Sequence, residues 1–202
     1  MELNLNKKDF INALKVAVST CGKNDVRYYL NGVCLDLERA DVVSIVGTDG
    51  HAIGRVVLNV EHGENCKFII ARASVEQLIK ATTLSRIDTE EIGIVVDVNT
   101  KSMVAIDNGN VTQLTLIDGN YPDYMRVLQL EPMPTATAIH APLQQINSMS
   151  RALAHVTAKL GGLKSVRIST EYSNGLIACT PCALLSCGTI ESAMIGIMPS
   201  RV

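Results

Sequence analysis

The stretch Glu2–Thr20, ELNLNKKDFINALKVAVST, changes its hydrophobic period part-way along. Leu3 and Leu5 alternate with polar neighbours, as in a strand, whereas Phe10, Leu14 and Val18 recur at helical spacing. The stretch therefore predicts a short strand running directly into an amphipathic helix over Lys7–Thr20. Val- and Ile-rich strands are expected next at 29–37, 42–46 and 53–60. The same order recurs twice. A second unit opens with a strand at Lys67–Ala71, has its helix at 74–84, and continues with strands at 92–98, 102–107 and 111–117. A third opens at 135–140, has its helix at 142–157, and continues at 166–170, 175–180 and 183–190. The repeat length is roughly 65 residues, and each unit reads β-α-β-β-β. The fold class is therefore α+β.

Local signals set the boundaries. Ser74 with Gln77 three residues later reads as a capping box. Pro142 suits a first helical turn, and Asp107-Asn108-Gly109 a tight hairpin. Glu131-Pro132-Met133-Pro134 reads as an extended linker. Residues 1–130 then form one complete domain of two halves, split near 65, and 131–202 form a half domain. In the helices, Phe10, Leu14 and Val18 are expected inward, with Lys8, Asn12, Lys15 and Ser19 opposite. Val75, Leu78 and Ile79 are expected inward in the second, with Gln77 and Lys80 opposite. Leu143, Ile146 and Leu153 are expected inward in the third, with Gln144, Ser148, Arg151, His155 and Lys159 opposite. All three outer faces are basic or neutral, while Asp36, Glu38, Asp41, Glu61, Glu90, Glu91 and Asp97 lie elsewhere.

Composition narrows the function classes. The chain has 202 residues, 47% apolar and 19% charged, with a formal charge of −2. A compact DNA-binding domain usually has a basic excess, but a protein that surrounds DNA needs positive potential only on its inner wall. No apolar run reaches the ~20 residues of a membrane span. MELNLNKKDF has no secretory pattern, so a cytoplasmic chain with six reduced cysteines is expected. Cys179 and Cys182 form a CxxC, yet they lie in strand-like sequence without a second ligand pair, so neither metal nor cofactor is expected.

Four segments carry a family resemblance: Asp25-Val-Arg-Tyr-Tyr-Leu-Asn-Gly32, Val46-Gly-Thr-Asp-Gly-His51, Tyr121-Pro-Asp-Tyr-Met-Arg-Val-Leu128, and Ile197-Met-Pro-Ser-Arg-Val202. In this order they resemble the bacterial DNA polymerase III beta subunit, the replicative sliding clamp. The likeness is to its middle domain over 1–130 and, more loosely, to the first half of its last domain over 135–202, with the terminal motif attached. It implies the DNA clamp fold, with helices lining a ring and sheets outside. It also implies a non-catalytic, nucleoid-associated processivity factor whose partners are double-stranded DNA, a polymerase and a clamp loader ATPase. Weak, salt-sensitive phosphate contacts suit sliding better than base contacts. Lys8, Lys15, Lys80, Arg151 and Lys159 are the expected inner-wall residues, with Lys23, Asn24, Arg86 and Lys164 as closer contacts in loops.

The resemblance also implies a cleft for short partner peptides. Its wall would be Arg27, Leu30, Thr48, Gly50, His51, Ala52 and Ile53, then Pro122, Arg126 and Val127, then Ile197, Met198, Pro199, Ser200 and Arg201. Ala52-Ile53 stands where the family commonly has Arg-Leu, which implies an altered peptide preference. A usual clamp chain carries six halves and closes as a pair. Three halves per chain imply four chains, in a dihedral arrangement where third units pair with each other and first units meet at the other junction. Two rivals remain. An enzyme built on the Thr48-Asp49-Gly50-His51 turn lacks any nucleophile elbow, P-loop or HExxH. A decoy that binds clamp partners without encircling DNA would not need basic helix faces.

Overall fold

The computed structural model describes residues 1–84, 89–97, 100, 102–128, 143–157, 159–160, 163–164, 166–169, 177–181, 184 and 189–197. The first unit comprises β1 (Glu2–Asn6), α1 (Lys7–Thr20), β2 (Gly32–Asp36), β3 (Val42–Thr48) and β4 (Ala52–Asn59). The second comprises β5 (Lys67–Ala71), α2 (Arg72–Leu84), β6 (Glu91–Asp97), β7 (Ser102–Asp107) and β8 (Asn110–Leu114), followed by the single turn α3 (Met125–Leu128). The third has α4 (Leu143–Leu153), a small hairpin of β9 (Lys159–Leu160) and β10 (Leu163–Lys164), then β11 (Val166–Ser169), β12 (Ile177–Pro181) and β13 (Ile190–Ile197). The expected first strand of this unit, at 135–140, lies outside the described residues. No helix among those described is long and apolar enough to cross a membrane.

The first two units interlock by exchanging first strands. β1 pairs antiparallel with β6, and β5 with β2, so each unit's meander is capped by its neighbour. The result is a four-stranded sheet, β1-β6-β7-β8, and a seven-stranded sheet, β11-β12-β13-β4-β3-β2-β5. The third unit joins through its last strand, with Ile197 opposite Ala52 and Ile190 opposite Leu58. That joint corrects two expectations. The closing strand of the third unit is Ile190–Ile197 rather than 183–190. First units cannot meet through β4, because β13 already occupies its edge.

The switch from strand to helix occurs where the periodicity placed it. Asn6 caps α1, its Oδ1 accepting the Asp9 N–H at 3.0 Å, and Asp9 suits the first turn of the helix dipole. Asp9 is itself buried and accepts the Thr189 hydroxyl at 2.7 Å, which ties α1 to the third unit. Lys7 pairs with Asp107 at 2.8 Å, both side chains buried, and so ties α1 to the second unit. Flanked by α2 and α4 and seated on the sheet, α1 is enclosed on most sides. For that reason Asn12 is buried rather than outward. Helix α2 starts at Arg72, not at a Ser74 cap. The Ser74 hydroxyl is used inside, accepting the Thr115 N–H at 3.0 Å. In α4, Met149, Ala152 and Leu153, with Val156 just beyond, form the buried stripe, while Ile146 is exposed at the start of the helix.

Candidate peptide cleft and basic helix face

Strands β2, β3 and β4 present alternate residues to two different cores. Val33, Leu35, Val43, Ile45, Val56 and Leu58 join Phe10 and Leu14 beneath the helices. On the other face Cys34, Val46 and Ile53 form a smaller cluster around Tyr124, with Tyr121, Met125 and Leu128 packed against it. The segment 121–128 is thereby held on the outer face of the sheet, and the cleft lies between it and the β3–β4 turn.

Each wall is built by local bonding. At the β3–β4 turn, the Thr48 hydroxyl donates to the Ala52 carbonyl at 2.6 Å, and Asp49 Oδ1 accepts the N–H groups of His51 and Ala52 at 2.8 and 2.7 Å. Gly50 takes φ +85°, a left-handed conformation that glycine adopts without strain. Opposite, Asn31 exchanges two hydrogen bonds with the Asp25 backbone, both at 2.8 Å. Arg27 then bridges the walls. Its guanidinium donates to both Asp25 carboxylate oxygens, at 3.0 and 2.8 Å, and to the Asp49 carbonyl at 2.9 Å. The hydrogen bond from the Arg27 side chain, with one from its backbone N–H, lowers the Asp25 carboxyl to about 2.

The outer segment is pinned by Tyr124. Its phenol is buried and donates to Asp36 Oδ2 at 2.6 Å, while Arg55 and Lys67 lie over its ring at 5.9 and 5.7 Å. Lys67 also pairs with Asp36 at 3.3 Å and with Glu38 at 2.9 Å. Burial first, then the bond to Asp36, raises the Tyr124 phenol above its ordinary value. The finished cavity holds about 350 Å³ and is lined by Arg27, Tyr29, Leu30, Thr48, Gly50, His51, Ala52, Ile53, Pro122, Asp123, Tyr124 and Val127. An apolar floor with a few polar groups at the rim fits apolar side chains on a short extended chain.

The helices occupy the other side of the sheet, with α1 touching both α2 and α4. The three carry Lys7, Lys8, Lys15, Arg72, Lys80 and Arg151 against only Asp9 and Glu76. Asp9 is buried against Thr189, Lys7 is matched by Asp107 and Glu76 by Arg72. Among the described residues, Lys8, Lys15, Lys80 and Arg151 of these helices have no ion-pair partner. Lys8 and Lys15 flank a shallow groove between α1 and α2, with Asn12, Thr82 and Thr83.

The family model for the DNA polymerase III beta subunit, central domain, matches residues 4–123. The chain belongs to that family. A beta sliding clamp of Vibrio cholerae is 26% identical over 167 residues, covering 81% of this chain and 43% of the relative. One from Pseudomonas aeruginosa is 31% identical over 159 residues, covering 77% and 39%. The chain thus spans less than half the length of these relatives. Among solved structures, a sliding clamp of Pseudomonas aeruginosa aligns with all of this chain and 67% of its own, with TM-score 0.64 and 17% identity. The Helicobacter pylori beta clamp in complex with diflunisal aligns with all of this chain and 66% of its own, with TM-score 0.75 and 13% identity. The fold is the α+β clamp fold.

Within the clamp family, the residues expected at the cleft divide clearly. Arg27, Leu30, Thr48, Gly50, His51, Ala52, Ile53, Pro122 and Val127 converge on one cavity. Arg126 is exposed on α3 and does not line it. Ile197 is buried opposite Ala52, behind the wall rather than in it. Met198, Pro199, Ser200 and Arg201 lie outside the described residues. Tyr29, Asp123 and Tyr124 were missed, although all three sit inside the quoted motifs. On the helix side, Lys8 and Lys80 are exposed and Lys15 half-buried, and Arg151 is exposed in the last turn of α4. Lys23 and Asn24 are exposed in the loop after α1, where Asn24 takes φ +61°. Lys159 is corrected: α4 ends at Leu153, and Lys159 stands in β9 opposite Lys164 of β10. Lys164 is therefore in a strand rather than a loop. Arg86 lies outside the described residues.

Proposed function

We propose that this chain is a non-catalytic DNA sliding clamp that closes around double-stranded DNA as a ring of four copies and tethers a polymerase through the cleft. The observation that carries the reading is the separation of the two surfaces. Lys8, Lys15, Lys80 and Arg151, which have no ion-pair partner among the described residues, are carried by the helices, and the braced cavity lies on the outer face of the sheet. DNA can pass one face while a partner peptide holds the other. Lys8, Lys15, Lys80 and Arg151 supply phosphate attraction without reading bases, joined by Lys23 and Asn24 in the loop after α1. A clamp loader ATPase is the implied agent of ring opening.

The unit count supports the four-copy reading. The relatives are about twice as long or more, and this chain contributes three units. Among the described residues the outer edge of β11 is unpaired, at the position that β5 caps on β2. A third unit from another copy would complete the domain there by the strand exchange already used between units one and two.

Light scattering tests the assembly. A species of four times 21.8 kDa, about 87 kDa, is expected. On nicked circular DNA loaded with the chain, replacing Lys8, Lys15 and Lys80 by Glu should abolish retention and leave peptide binding at the cleft unchanged. A triple variant retained like wild type overturns the DNA face. Peptide binding by a chain that is monomeric at every concentration would instead favour a decoy that occupies clamp partners.

A further inference from the structure

The first and third units join through their last strands. β4 ends the first unit and β13 ends the third, and these pair antiparallel within the chain. β8 ends the second unit. Its inner edge pairs with β7, and among the described residues no strand pairs with its outer edge. Among the described residues, the last strand of the second unit is the one without such a partner.

This edge lacks the protection that soluble proteins usually give to such strands. Asn110-Val-Thr-Gln-Leu114 contains no charge and no proline, and Val111 is 65% exposed. The absence of charge also bears on what can dock there. Two copies of the strand laid antiparallel set no like charges opposite one another, and strand pairing is weakened where they do. An antiparallel pair of identical strands is two-fold symmetric, the commonest way for a chain to meet itself.

We infer that β8 is a docking edge for β8 of a second copy of this chain, the two strands pairing antiparallel across a two-fold axis. The inference deepens the four-copy reading by naming one of its joints: second unit to second unit, rather than first to first. It draws support from continuity with the joint already present. The meander of the first unit is extended at its last strand by another last strand, and β8 is the equivalent strand of the second unit.

The test is a charge exchange at Val111. Solution mass is measured for wild type, Val111→Lys, Val111→Glu and an equal mixture of the two variants. Because Val111 is exposed, neither charge enters the core of the chain, and peptide binding at the distant cleft checks that each variant is folded. Each variant alone should fall to half the wild-type mass, and the mixture should recover it. A variant that keeps the wild-type mass overturns the inference, as does a mixture that stays halved. The four-copy reading is judged separately. A wild type of about 87 kDa that is insensitive to both charges retains the ring and removes this joint. A wild type of twice 21.8 kDa, about 44 kDa, that halves on either charge retains the joint and removes the ring of four. A wild-type monomer overturns both.

Discussion

Replacing Tyr124 by Phe removes one oxygen from the outer core and leaves the ring in place. That oxygen donates to Asp36 Oδ2 at 2.6 Å, and the residue is 4% exposed, so water cannot substitute without opening the segment. Asp36 keeps Lys67 at 3.3 Å and the Glu38 N–H at 3.0 Å, so the carboxylate loses one partner of three and stays matched in charge. A hydrogen bond to a charged acceptor contributes about 1.5–3 kcal/mol. The surviving partners place the expected loss toward the lower end, about 1.5–2 kcal/mol. The assay is urea unfolding at fixed protomer concentration, read as a lower midpoint with unchanged slope. The pH dependence gives a second reading. The folded phenol is raised above its unfolded value of about 10. Its contribution is therefore fully present below about pH 10 and is lost as pH rises from there toward the folded value. Tyr124→Phe should flatten that alkaline loss. A variant as stable as wild type at neutral pH would refute the view that this bond pins the outer wall of the cleft.

Two other perturbations probe the same frame. Gly47→Ala would put a Cβ 1.8 Å from the Ala17 carbonyl oxygen, a backbone atom that no rotamer change can move aside. The expected cost is about 3 kcal/mol or more in urea unfolding, and a wild-type midpoint would show that helix and strand are not in direct contact. Asp25→Asn removes the charge that orients Arg27 and should weaken partner-peptide affinity several-fold. The wild-type carboxyl is held at about 2, so its contribution is present above the unfolded value of about 3.9 and lost only as pH falls toward about 2. The ratio of wild-type to variant affinity should therefore stay constant from pH 7 to about pH 4. A ratio that changes between pH 7 and 5 would count against this assignment.

Element type was legible wherever one period held over a whole element. Lys7–Thr20 is a helix end to end, and Lys67–Ala71 and Ser102–Asp107 are strands with the bounds expected of them. What periodicity could not supply was partnership. Nothing in ELNLN says that β1 leaves its own unit to pair with β6, because alternation reports one buried face and is silent on which strand lies alongside. The same limit explains Asn12, polar in sequence but covered where α2 crosses α1. It explains Lys159 too, which continued a helical spacing past the point where α4 had ended. At the cleft, the motifs located most of the cavity. Tyr124 escaped because a tyrosine beside an exposed Pro-Asp reads as surface until its partner Asp36, 88 residues away, is known.

The segment Val46–His51 shows why the two faces cannot be altered independently in every way. Val46 belongs to the outer cluster beneath the cleft, Gly47 admits α1 on the inner side, Thr48 and Asp49 close the turn, Gly50 gives it its handedness, and His51 reaches the rim. Thr20 reinforces the inner contact, its hydroxyl donating to the Gly47 carbonyl at 3.0 Å. A change that lifts α1 from β3 therefore acts within three residues of the cleft, whereas a change of charge on the exposed side of α1 acts on neither the strand nor the turn. Gly47→Ala should thus reduce peptide binding and DNA retention together, while reversal of Lys8 and Lys15 should reduce retention alone. If both variants lost both properties, the sheet would not be insulating one face from the other, and a clamp with separate inner and outer surfaces would be the wrong description of this chain.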